Sequence, residues 1–584
     1  MPHQRTVVLV IFCFLVTATP AAVVADRPNV VLVMTDDQGI GDFGATGNQV
    51  IETPNIDALA KRSASMKTFY VSPVCSPTRA CLMTGRYNYR TRCIDTWVGR
   101  SMMDPAEVTI AEVLQKAGYA TGIFGKWHLG DCYPMRAMDQ GFEEALVIRG
   151  GGLAQPSEPR ENHRRYTNPI LFHNGQQVQT KGYCTDVYFS AAMKFIDKAH
   201  QAKRNFFVYL PTNAPHGPFH DVPEDLRKHY MTKDLASLIV RKLKGKRLAA
   251  EIDKLARIAA MITNVDQNVG RLLARLDRLG LTKNTIVIFL VDNGPNTWRY
   301  VGNKRGKKTY VHEGGVRAPL WVRWPAQLKA GQTVTEISAH IDLMPTILDA
   351  CGVEPPAGVR LDGRSLLPLL RGQRVKWPNR TIVLQSHRGD KPVRYHNFMI
   401  RDARWKLLHA SGFGRENFSG KPKFELYDIL SDPKEANNVI DDHPEVFARL
   451  KKQYNRWFDD VSHTRPDNYA PPRIIIGTPH ENPTVLTRQD WRGGTWARDA
   501  IGYWELHVQA TGRYDVRLEF DANPERDVLE LKIAGVTKNA TLAVGAKTVE
   551  FKGVRLSAGD TQLRAVLSHN GKSRGVYQVF ITHR

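Results

Sequence analysis

Cys75 is the residue of this chain whose surroundings best suit a nucleophile. It opens the segment Cys-Ser-Pro-Thr-Arg-Ala-Cys-Leu-Met-Thr-Gly-Arg. Ser76 is a typical helix N-cap, Pro77 suits the first helical position, and Gly85 supplies a C-terminal stop. The segment therefore predicts a helix whose N-terminus lies just after Cys75. Backbone N–H groups at that end and the cation of Arg79 favour a thiolate, although a lone cysteine is more often a buried structural thiol.

Two nearly continuous apolar runs, 29–35 and 285–291, predict strands that are buried on both faces. Each run is followed directly by two residues with side-chain oxygens. Open α/β sheets bind ligands at the carboxyl ends of their strands, and carboxylate and amide oxygens are hard ligands. The sequence thus predicts a Ca²⁺ site, with Mg²⁺ as the alternative cation and solvated turns as the alternative interpretation. The four residues are Asp36, Asp37, Asp292 and Asn293.

Lysines and histidines at three further places suit an anionic substrate. Lys126 and His128 follow a predicted strand, 119–124, and residues two apart face the same way in extended chain. His216 lies between two prolines that stiffen its backbone, and an imidazole can hold and release a proton near neutral pH. Lys308 comes shortly before a Glu-Gly-Gly sequence. Each of these residues, taken singly, also fits an ordinary surface position.

Together, these segments resemble the type I sulfatases, which depend on formylglycine and belong to the alkaline phosphatase superfamily. Residues 75–86 are similar to the first signature of that family, and residues 125–130 are similar to the second. The Thr-Asp-Asp sequence after the first apolar run and the lysine before Glu-Gly-Gly are also similar to family patterns. The resemblance runs from about residue 29 to residue 457.

The resemblance implies a chemistry for each of these residues. In the family, a maturation enzyme oxidises the signature cysteine to formylglycine (3-oxoalanine), and the hydrated aldehyde is the nucleophile. A histidine protonates the leaving alcohol, a second histidine assists breakdown of the covalent sulfate, and lysines bind the sulfate. The implied catalytic residues are Cys75, Arg79, Lys126, His128, His216 and Lys308, and the implied metal ligands are Asp36, Asp37, Asp292, Asn293 and an oxygen of the modified Cys75.

One position departs from the family pattern, and other functions stay open. His312 stands where an aromatic residue is more usual, which leaves Lys307 as the alternative to Lys308. A phosphate or phosphonate ester hydrolase of the same superfamily would use similar chemistry. A non-catalytic binder of sulfated glycans is the third interpretation, and the complete set of catalytic residues argues against it.

The charge of the chain favours an anionic substrate. The 584 residues carry a formal net charge of +23, which raises the local concentration of anions. Residues 1–25 have a basic start, an apolar run and a small-residue end, as in a signal peptide, and the apolar run is too short for a membrane anchor. Export to the periplasm or the extracellular space argues against nucleic acid and favours a sulfated carbohydrate. The sequence does not indicate an oligomeric state.

The cysteine count limits the disulfides. Of seven cysteines, Cys13 lies in the signal peptide and Cys75 is the residue to be modified. The remaining cysteines allow at most two disulfides, and their pairing cannot be deduced. These cysteines are Cys81, Cys93, Cys132, Cys184 and Cys351.

The predicted fold class is α/β, with a mixed central sheet flanked by helices as in alkaline phosphatase, a smaller α+β C-terminal subdomain and an additional all-β sandwich. Short alternating strands after residue 473 indicate the sandwich, which suits either a carbohydrate-binding module or a structural cap. Trp491 and Trp496 are its candidate sugar platforms, with core packing as the alternative for either indole. The predicted segments are a signal peptide at 1–25, a catalytic subdomain at 26–370, a C-terminal subdomain at 371–462, a linker at 463–472 and the sandwich at 473–584.

Overall fold

The computed structural model of the chain describes residues 27–464, 469–522 and 526–584. The predicted signal peptide at 1–25 lies outside the described residues, as does part of the predicted linker. Within the described ranges, every helix is too short or too polar to cross a membrane.

The largest sheet lies in the first two thirds of the chain. Its strands are β1 Asn29–Thr35, β2 Ala64–Tyr70, β3 Ala120–Lys126, β4 Glu144–Ile148, β5 Ile170–His173, β6 Gln176–Gln179, β7 Phe206–Pro211, β8 Thr285–Val291, β9 Arg317–Ala318, β10 Leu320–Arg323 and β11 Thr333–Ala339. In space they follow the order β11-β2-β10-β8-β1-β7-β3-β4-β5-β6, and β9 pairs with β2. Strands β8, β1, β7, β3 and β4 run parallel, and antiparallel pairs lie toward both edges. The predicted mixed sheet is confirmed.

Ten α-helices are present in the described residues. Their bounds are α1 Pro54–Lys61, α2 Cys75–Thr84, α3 Ile110–Lys116, α4 Cys184–Gln201, α5 Glu224–Met231, α6 Gly245–Arg278, α7 Glu313–Val316, α8 Leu343–Ala350, α9 Leu367–Leu370 and α10 Pro444–Ser462. A capping box opens α3: the Thr109 side chain accepts from the Glu112 N–H, and the Glu112 carboxylate accepts from the Thr109 N–H.

The start of α2 differs from the prediction. The helix begins at Cys75 itself, and Val74 holds the extended conformation at the N-cap. Ser76 is fully buried, and its hydroxyl has no hydrogen-bond partner among the described residues. The local preference of serine for the cap is overridden because the first turn is enclosed by the ends of the central strands. Cys75 therefore lies in the first turn, where the helix dipole still acts on its sulfur.

The apolar spacing of the sequence predicts an amphipathic helix over 266–279, and helix α6 is much longer than that segment. It starts at Gly245, so it includes only the last three residues of the segment 241–247, in which five of seven residues are Lys or Arg. Its first half buries Leu255, Ile258 and neighbouring residues in a small separate core with α5. Charged residues cover the solvent face of that half, so the apolar spacing is less visible there than in the second half.

Two further β structures follow the main sheet. Strands β12 Ile382–Gln385, β13 Phe398–Arg401, β14 Trp405–His409 and β15 Glu425–Asp428 form an antiparallel sheet that packs with α10. The all-β region contains β16 Ile474–Ile476, β17 Thr484–Thr487, β18 Tyr503–Val508, β19 Gly512–Glu519, β20 Val528–Ile533, β21 Val536–Thr541, β22 Thr548–Leu556, β23 Gly559–His569, β24 Lys572–Gly575 and β25 Gln578–His583. These strands form two sheets, β16-β18-β23-β20-β21 with β24 beside β23, and β17-β25-β19-β22. The predicted segment boundaries remain predictions.

The all-β region shares a hydrophobic core with the predicted catalytic subdomain, 26–370, which is called the catalytic region below. Val98, Met102, Cys132 and Met135 belong to the same buried cluster as the inward-facing residues of both β sheets. Trp491 is fully buried in this cluster, so its assignment as a sugar platform is wrong. An indole in the sequence is compatible with sugar binding or with core packing, and Trp491 packs in the core between the two regions.

Candidate active site

The sheet brings the two predicted pairs of oxygen ligands together. Strands β1 and β8 are parallel neighbours, and Thr35 lies opposite Val291 at their carboxyl ends. The Asp37 N–H donates to the Asp292 carboxylate at 3.2 Å, which ties the two loops directly. The side chains of all four predicted ligands are buried.

Three buried oxygens in this cluster lack a hydrogen-bond partner among the described residues. They are Oδ1 of Asp36, Oδ2 of Asp37 and Oδ1 of Asn293. Burying unpaired acceptors, two of them on carboxylates, is costly unless a cation binds them. Ligand atoms of Asp36, Asp37 and His216 also lie within 4.8 Å of one another. This donor set therefore fits a hard metal ion.

Three cations face the carboxylates. Arg79 donates to Asp36 at 3.2 Å and to Asp292 at 2.9 Å. Lys126 donates to the same Asp36 oxygen at 2.5 Å. Lys308 donates to Asp37 at 2.5 Å, whereas the side chain of Lys307 donates to a backbone carbonyl at 3.1 Å and does not reach the carboxylates. Of the two predicted alternatives, Lys308 is the one that lies in the cluster.

The charges of the cluster are unevenly balanced. Burial alone would raise the pKa of Asp36, but Lys126 and His216 outweigh it and hold the pKa below its usual value. Burial would also raise the pKa of Asp37, but the nearby charge of Lys308 outweighs it and holds this pKa below its usual value. Burial and the nearby charge of Asp36 instead raise the pKa of Asp292 to about 8. Three carboxylates this close disfavour a third negative charge, and a bound divalent ion would relieve that penalty.

Cys75 differs from the other cysteines in the described residues. All six are buried free thiols, so neither of the two disulfides that the count allowed is formed there. Burial raises the pKa of the other five thiols. Burial opposes ionisation of Cys75 as well, but the nearby Lys126 and Lys308 bring its pKa below the usual value. The environment of Cys75 is therefore the electropositive one that reactive cysteines require.

His128 is held as a neutral base that faces Cys75. Its Nε2 lies 2.9 Å from the carbonyl oxygen of Thr96, and since a carbonyl can only accept, Nε2 carries the proton. Its Nδ1 therefore presents a lone pair toward the Cys75 sulfur at 3.5 Å. Burial, reinforced by the charges of Lys126 and Arg79, keeps the pKa of His128 well below its usual value.

Backbone strain accompanies this geometry. Asp37 has a φ of 60° and His128 a φ of 61°, in the left-handed region that L residues with a Cβ rarely adopt. Such conformations persist only where the surrounding structure fixes them, and they cluster at functional sites. Here the Asp37 N–H is bonded to Asp292, and the His128 N–H is bonded to the Arg149 carbonyl at 2.9 Å.

His216 lies in the loop after β7 and contributes the remaining predicted side chain of the site. Its Nδ1 lies 2.7 Å from the Gly217 carbonyl and therefore carries a proton. Its Nε2 faces Asp37 at 3.7 Å. The ring is partly exposed, so Nε2 can meet a substrate that enters from solvent.

One contact of the site has no signal in the sequence. The side-chain amide nitrogen of Gln489, in the all-β region, lies 3.4 Å from Nε2 of His128. The backbone carbonyl of Gln489 accepts from the Gly99 N–H. Gln489 is fully buried. It is separated from His128 by most of the chain, so neither motif nor periodicity indicates it.

Comparison with known proteins identifies the family of the chain. The family profile described as Sulfatase matches residues 28–353, and the profile described as N-sulphoglucosamine sulphohydrolase, C-terminal, matches residues 305–460. The chain is 26% identical to an N-acetylglucosamine-6-O-sulfatase of Bacteroides thetaiotaomicron, over 81% of this chain and 92% of that protein. It is 30% identical to human arylsulfatase A, over 74% of this chain and 87% of that protein.

A solved structure shows the same relationship. The crystal structure of Ps i-CgsB in complex with k-i-k-neocarrahexaose superposes with a TM-score of 0.64 at 27% identity, covering 76% of this chain and 94% of that one. Since the Sulfatase profile matches more than half of the chain, and the acidic cluster fits the metal dependence that is general in that family, the assignment is clear. This protein belongs to the sulfatase family and is a sulfuric ester hydrolase.

Proposed function

We propose that the protein is an exported, formylglycine-dependent sulfatase that removes sulfate from a sulfated carbohydrate with the help of a bound Ca²⁺. The observation that carries the proposal is the site itself. A thiol with a lowered pKa, a neutral histidine and two lysines surround three buried carboxylates that include unpartnered oxygens.

Several observations support the carbohydrate and the export. One relative given above is named an N-acetylglucosamine-6-O-sulfatase, and the solved structure is that of a complex with a neocarrahexaose. The formal charge of +23 favours a polyanion. The leader-like residues 1–25 support export to the periplasm or the extracellular space, and a cysteine in the family signature supports a maturation enzyme as a partner.

The proposed cation ligands are Asp36, Asp37, Asp292 and Asn293, with an oxygen of the modified Cys75. An all-oxygen set of carboxylates and one amide suits Ca²⁺, with Mg²⁺ as the alternative. The ion would polarise the sulfate oxygens and offset the charge of the carboxylates. Arg79 bridges Asp36 and Asp292 and so fixes the orientation of both.

We propose that the reaction has two stages at position 75. Formylglycine, as its hydrate, supplies one hydroxyl to attack sulfur and a second whose loss of a proton re-forms the aldehyde and releases sulfate. His128 is placed to accept that second proton, since its Nδ1 lone pair faces the Cys75 side chain. Lys126 and Lys308 neutralise charge on the sulfuryl oxygens.

His216 is the proposed general acid for the leaving alcohol. With Nδ1 bonded to the Gly217 carbonyl, a protonated ring directs its Nε2–H into the site. Nε2 lies 3.7 Å from the Asp37 carboxylate, so a proton on this nitrogen is held at the edge of the acidic cluster.

His216→Ala is expected to slow sulfate esters of aliphatic alcohols about 10²- to 10⁴-fold and a nitrophenyl sulfate about tenfold or less. The reason is that nitrophenolate leaves without a proton. The measurement is kcat for both substrates with wild type and variant, and His220→Ala, an exposed neighbour on the same loop, is the control. Equal slowing of both substrates would remove the general-acid role.

Comparative kinetics test the sulfatase assignment against a phosphate or phosphonate ester hydrolase. We expect kcat/KM for 4-nitrophenyl sulfate to exceed that for 4-nitrophenyl phosphate and for phenyl phosphonate esters. Three carboxylates and two lysines suit a sulfuryl group with a single negative charge better than a phosphoryl dianion. A preference for the phosphorus esters would establish the alternative function.

A further inference from the structure

A cavity of about 200 Å³ lies between the all-β region and the loop 150–160 of the catalytic region. It does not include the carboxylates, lysines or histidines described above. Its lining combines arginines with aromatic rings and includes Arg160, Arg488, Trp496, Arg498, Arg574 and Tyr577.

The lining is strongly cationic. It contains four arginines and one carboxylate, that of Asp521. Asp521 pairs with Arg160 at 2.8 Å and with Arg498 at 3.0 Å, so one negative charge is shared by two guanidinium groups. Arg574 pairs with Asp527, which lies outside the lining, at 2.9 Å.

Arg488 adds a buried charge that no carboxylate in the described residues neutralises by direct contact. Its guanidinium donates instead to backbone carbonyls, at 2.9 Å to Val576, at 2.8 Å to Gly575 and, through a short contact, to Ala497. Carbonyl dipoles hold the group in place but leave its net charge intact. The fixed guanidinium of Arg488 lines the same cavity as the exposed side chains of Arg160 and Arg498. Such a group of guanidinium donors suits a planar or tetrahedral oxyanion.

Aromatic rings stand beside these charges. The Arg160 guanidinium stacks on Tyr577 at 4.5 Å from the ring centroid. Trp496 is only partly buried, and its indole N–H donates to the Arg488 carbonyl at 3.1 Å, which fixes the ring. Aromatic faces next to cations suit sugar rings that carry anionic groups, because the ring C–H groups are apolar.

The cavity adjoins the active site through two segments. Gly151 and Gly152 pass so close to the catalytic histidines that a Cβ on Gly151 would lie 2.6 Å from the His128 ring and one on Gly152 3.3 Å from the His216 ring. Pro156 in the cavity lining lies only four positions after Gly152, a reach of at most about 14 Å.

The second segment contains Thr96 and Trp97. The Thr96 carbonyl holds His128, and the ring of Trp97 contacts Trp496 edge to face, with a centroid distance of 5.7 Å. The cavity is therefore within reach of the sugars that neighbour a residue bound at Cys75.

We propose that this cavity is a subsite for an anionic group, a sulfate or a carboxylate, on a sugar neighbouring the one whose sulfate ester is cleaved. The inference rests on the proposed sulfatase function for a carbohydrate substrate. It assigns the all-β region a direct part in substrate selection, in addition to its packing against the catalytic region.

The test compares the double variant R160Q/R498Q with R555Q. The side chains of Arg160 and Arg498 are 54% and 72% exposed, so their replacement should not disturb the core. Arg555 is an exposed arginine on β22 of the same region and serves as the matched control. The first readout is the ratio of kcat/KM for a sulfated hexasaccharide to kcat/KM for 4-nitrophenyl sulfate. The hexasaccharides come from carrageenan, chondroitin sulfate and heparan sulfate.

The second readout is independent of turnover. Binding of the same hexasaccharides, and of unsulfated chondroitin hexasaccharide, to proteins that also carry Cys75→Ala is measured by calorimetry. We expect the double variant to lower the kcat/KM ratio and the binding constant about tenfold, which is the loss of roughly one charge-assisted contact, and R555Q to change neither. Weakened binding of the carrageenan fragment identifies sulfate as the ligand, and weakened binding of unsulfated chondroitin identifies carboxylate.

The two failures are distinguishable. Absence of sulfate release from every ester would end the proposed function, and the binding measurement would still decide the subsite. Binding constants that are the same in R160Q/R498Q and R555Q for every hexasaccharide would show that the arginines form only a structural ion-pair network and would overturn the inference.

Discussion

The variants Cys75→Ala and Cys75→Ser are both expected to lose turnover of sulfate esters by about 10⁴- to 10⁶-fold, for different reasons. Alanine has no nucleophile, so it should release no alcohol. Serine has one hydroxyl and lacks the second that would expel sulfate, so it should release at most one equivalent of alcohol per chain and then stop. The measurement is the time course of alcohol release with enzyme at micromolar concentration.

Cys351→Ala is the matched control, because Cys351 is also a buried thiol but lies at the end of α8. It should keep wild-type turnover with a modest loss of thermal stability. Continued turnover by Cys75→Ser would contradict the requirement for two hydroxyl groups. It would favour a mechanism in which a single hydroxyl group is the nucleophile.

Removal of the divalent ion is expected to have the second largest effect. Thorough chelation of the wild type and the substitution Asp292→Ala should each lower kcat/KM by about 10³-fold or more. Chelation should also lower the melting temperature, because it leaves the buried oxygens of Asp36, Asp37 and Asn293 without a partner and three carboxylates next to one another. Elemental analysis should find one divalent ion per wild-type chain and none in Asp292→Ala.

Asp277→Ala is the control for the metal prediction, since Asp277 is an exposed carboxylate near the end of α6. It should keep both the ion and the activity. Undiminished activity in protein that has been shown by elemental analysis to be metal-free would rule out the proposed role of the carboxylate cluster.

The strand ends of the site were predictable from sequence. The two runs 29–35 and 285–291 are apolar at almost every position because their strands are buried on both faces, and the structure gives them the predicted bounds. Parallel neighbours end at the same edge of a sheet, so residues that follow two such strands come together. The adjacency of Asp36 and Asp37 to Asp292 and Asn293 follows from that rule, once the strands are known to be neighbours.

Features set by distant parts of the chain were not predictable. The cap preference of Ser76 is a local signal, and enclosure by strand ends overrides it. Gln489 reaches His128 only because the all-β region packs against the catalytic region, and Trp491 is buried by the same packing. A β-sandwich can be inferred from alternation along the strands, but alternation does not indicate which loops meet a neighbouring region.

The measurement that tests the central claim most directly is the mass of the tryptic peptide from Thr68 to Arg79, in protein produced together with a formylglycine-generating enzyme. Conversion of the thiol to an aldehyde removes about 18 Da, and we predict that most of the peptide carries this loss. A peptide that keeps the full mass of cysteine under these conditions, in protein that turns over sulfate esters, would contradict the formylglycine mechanism.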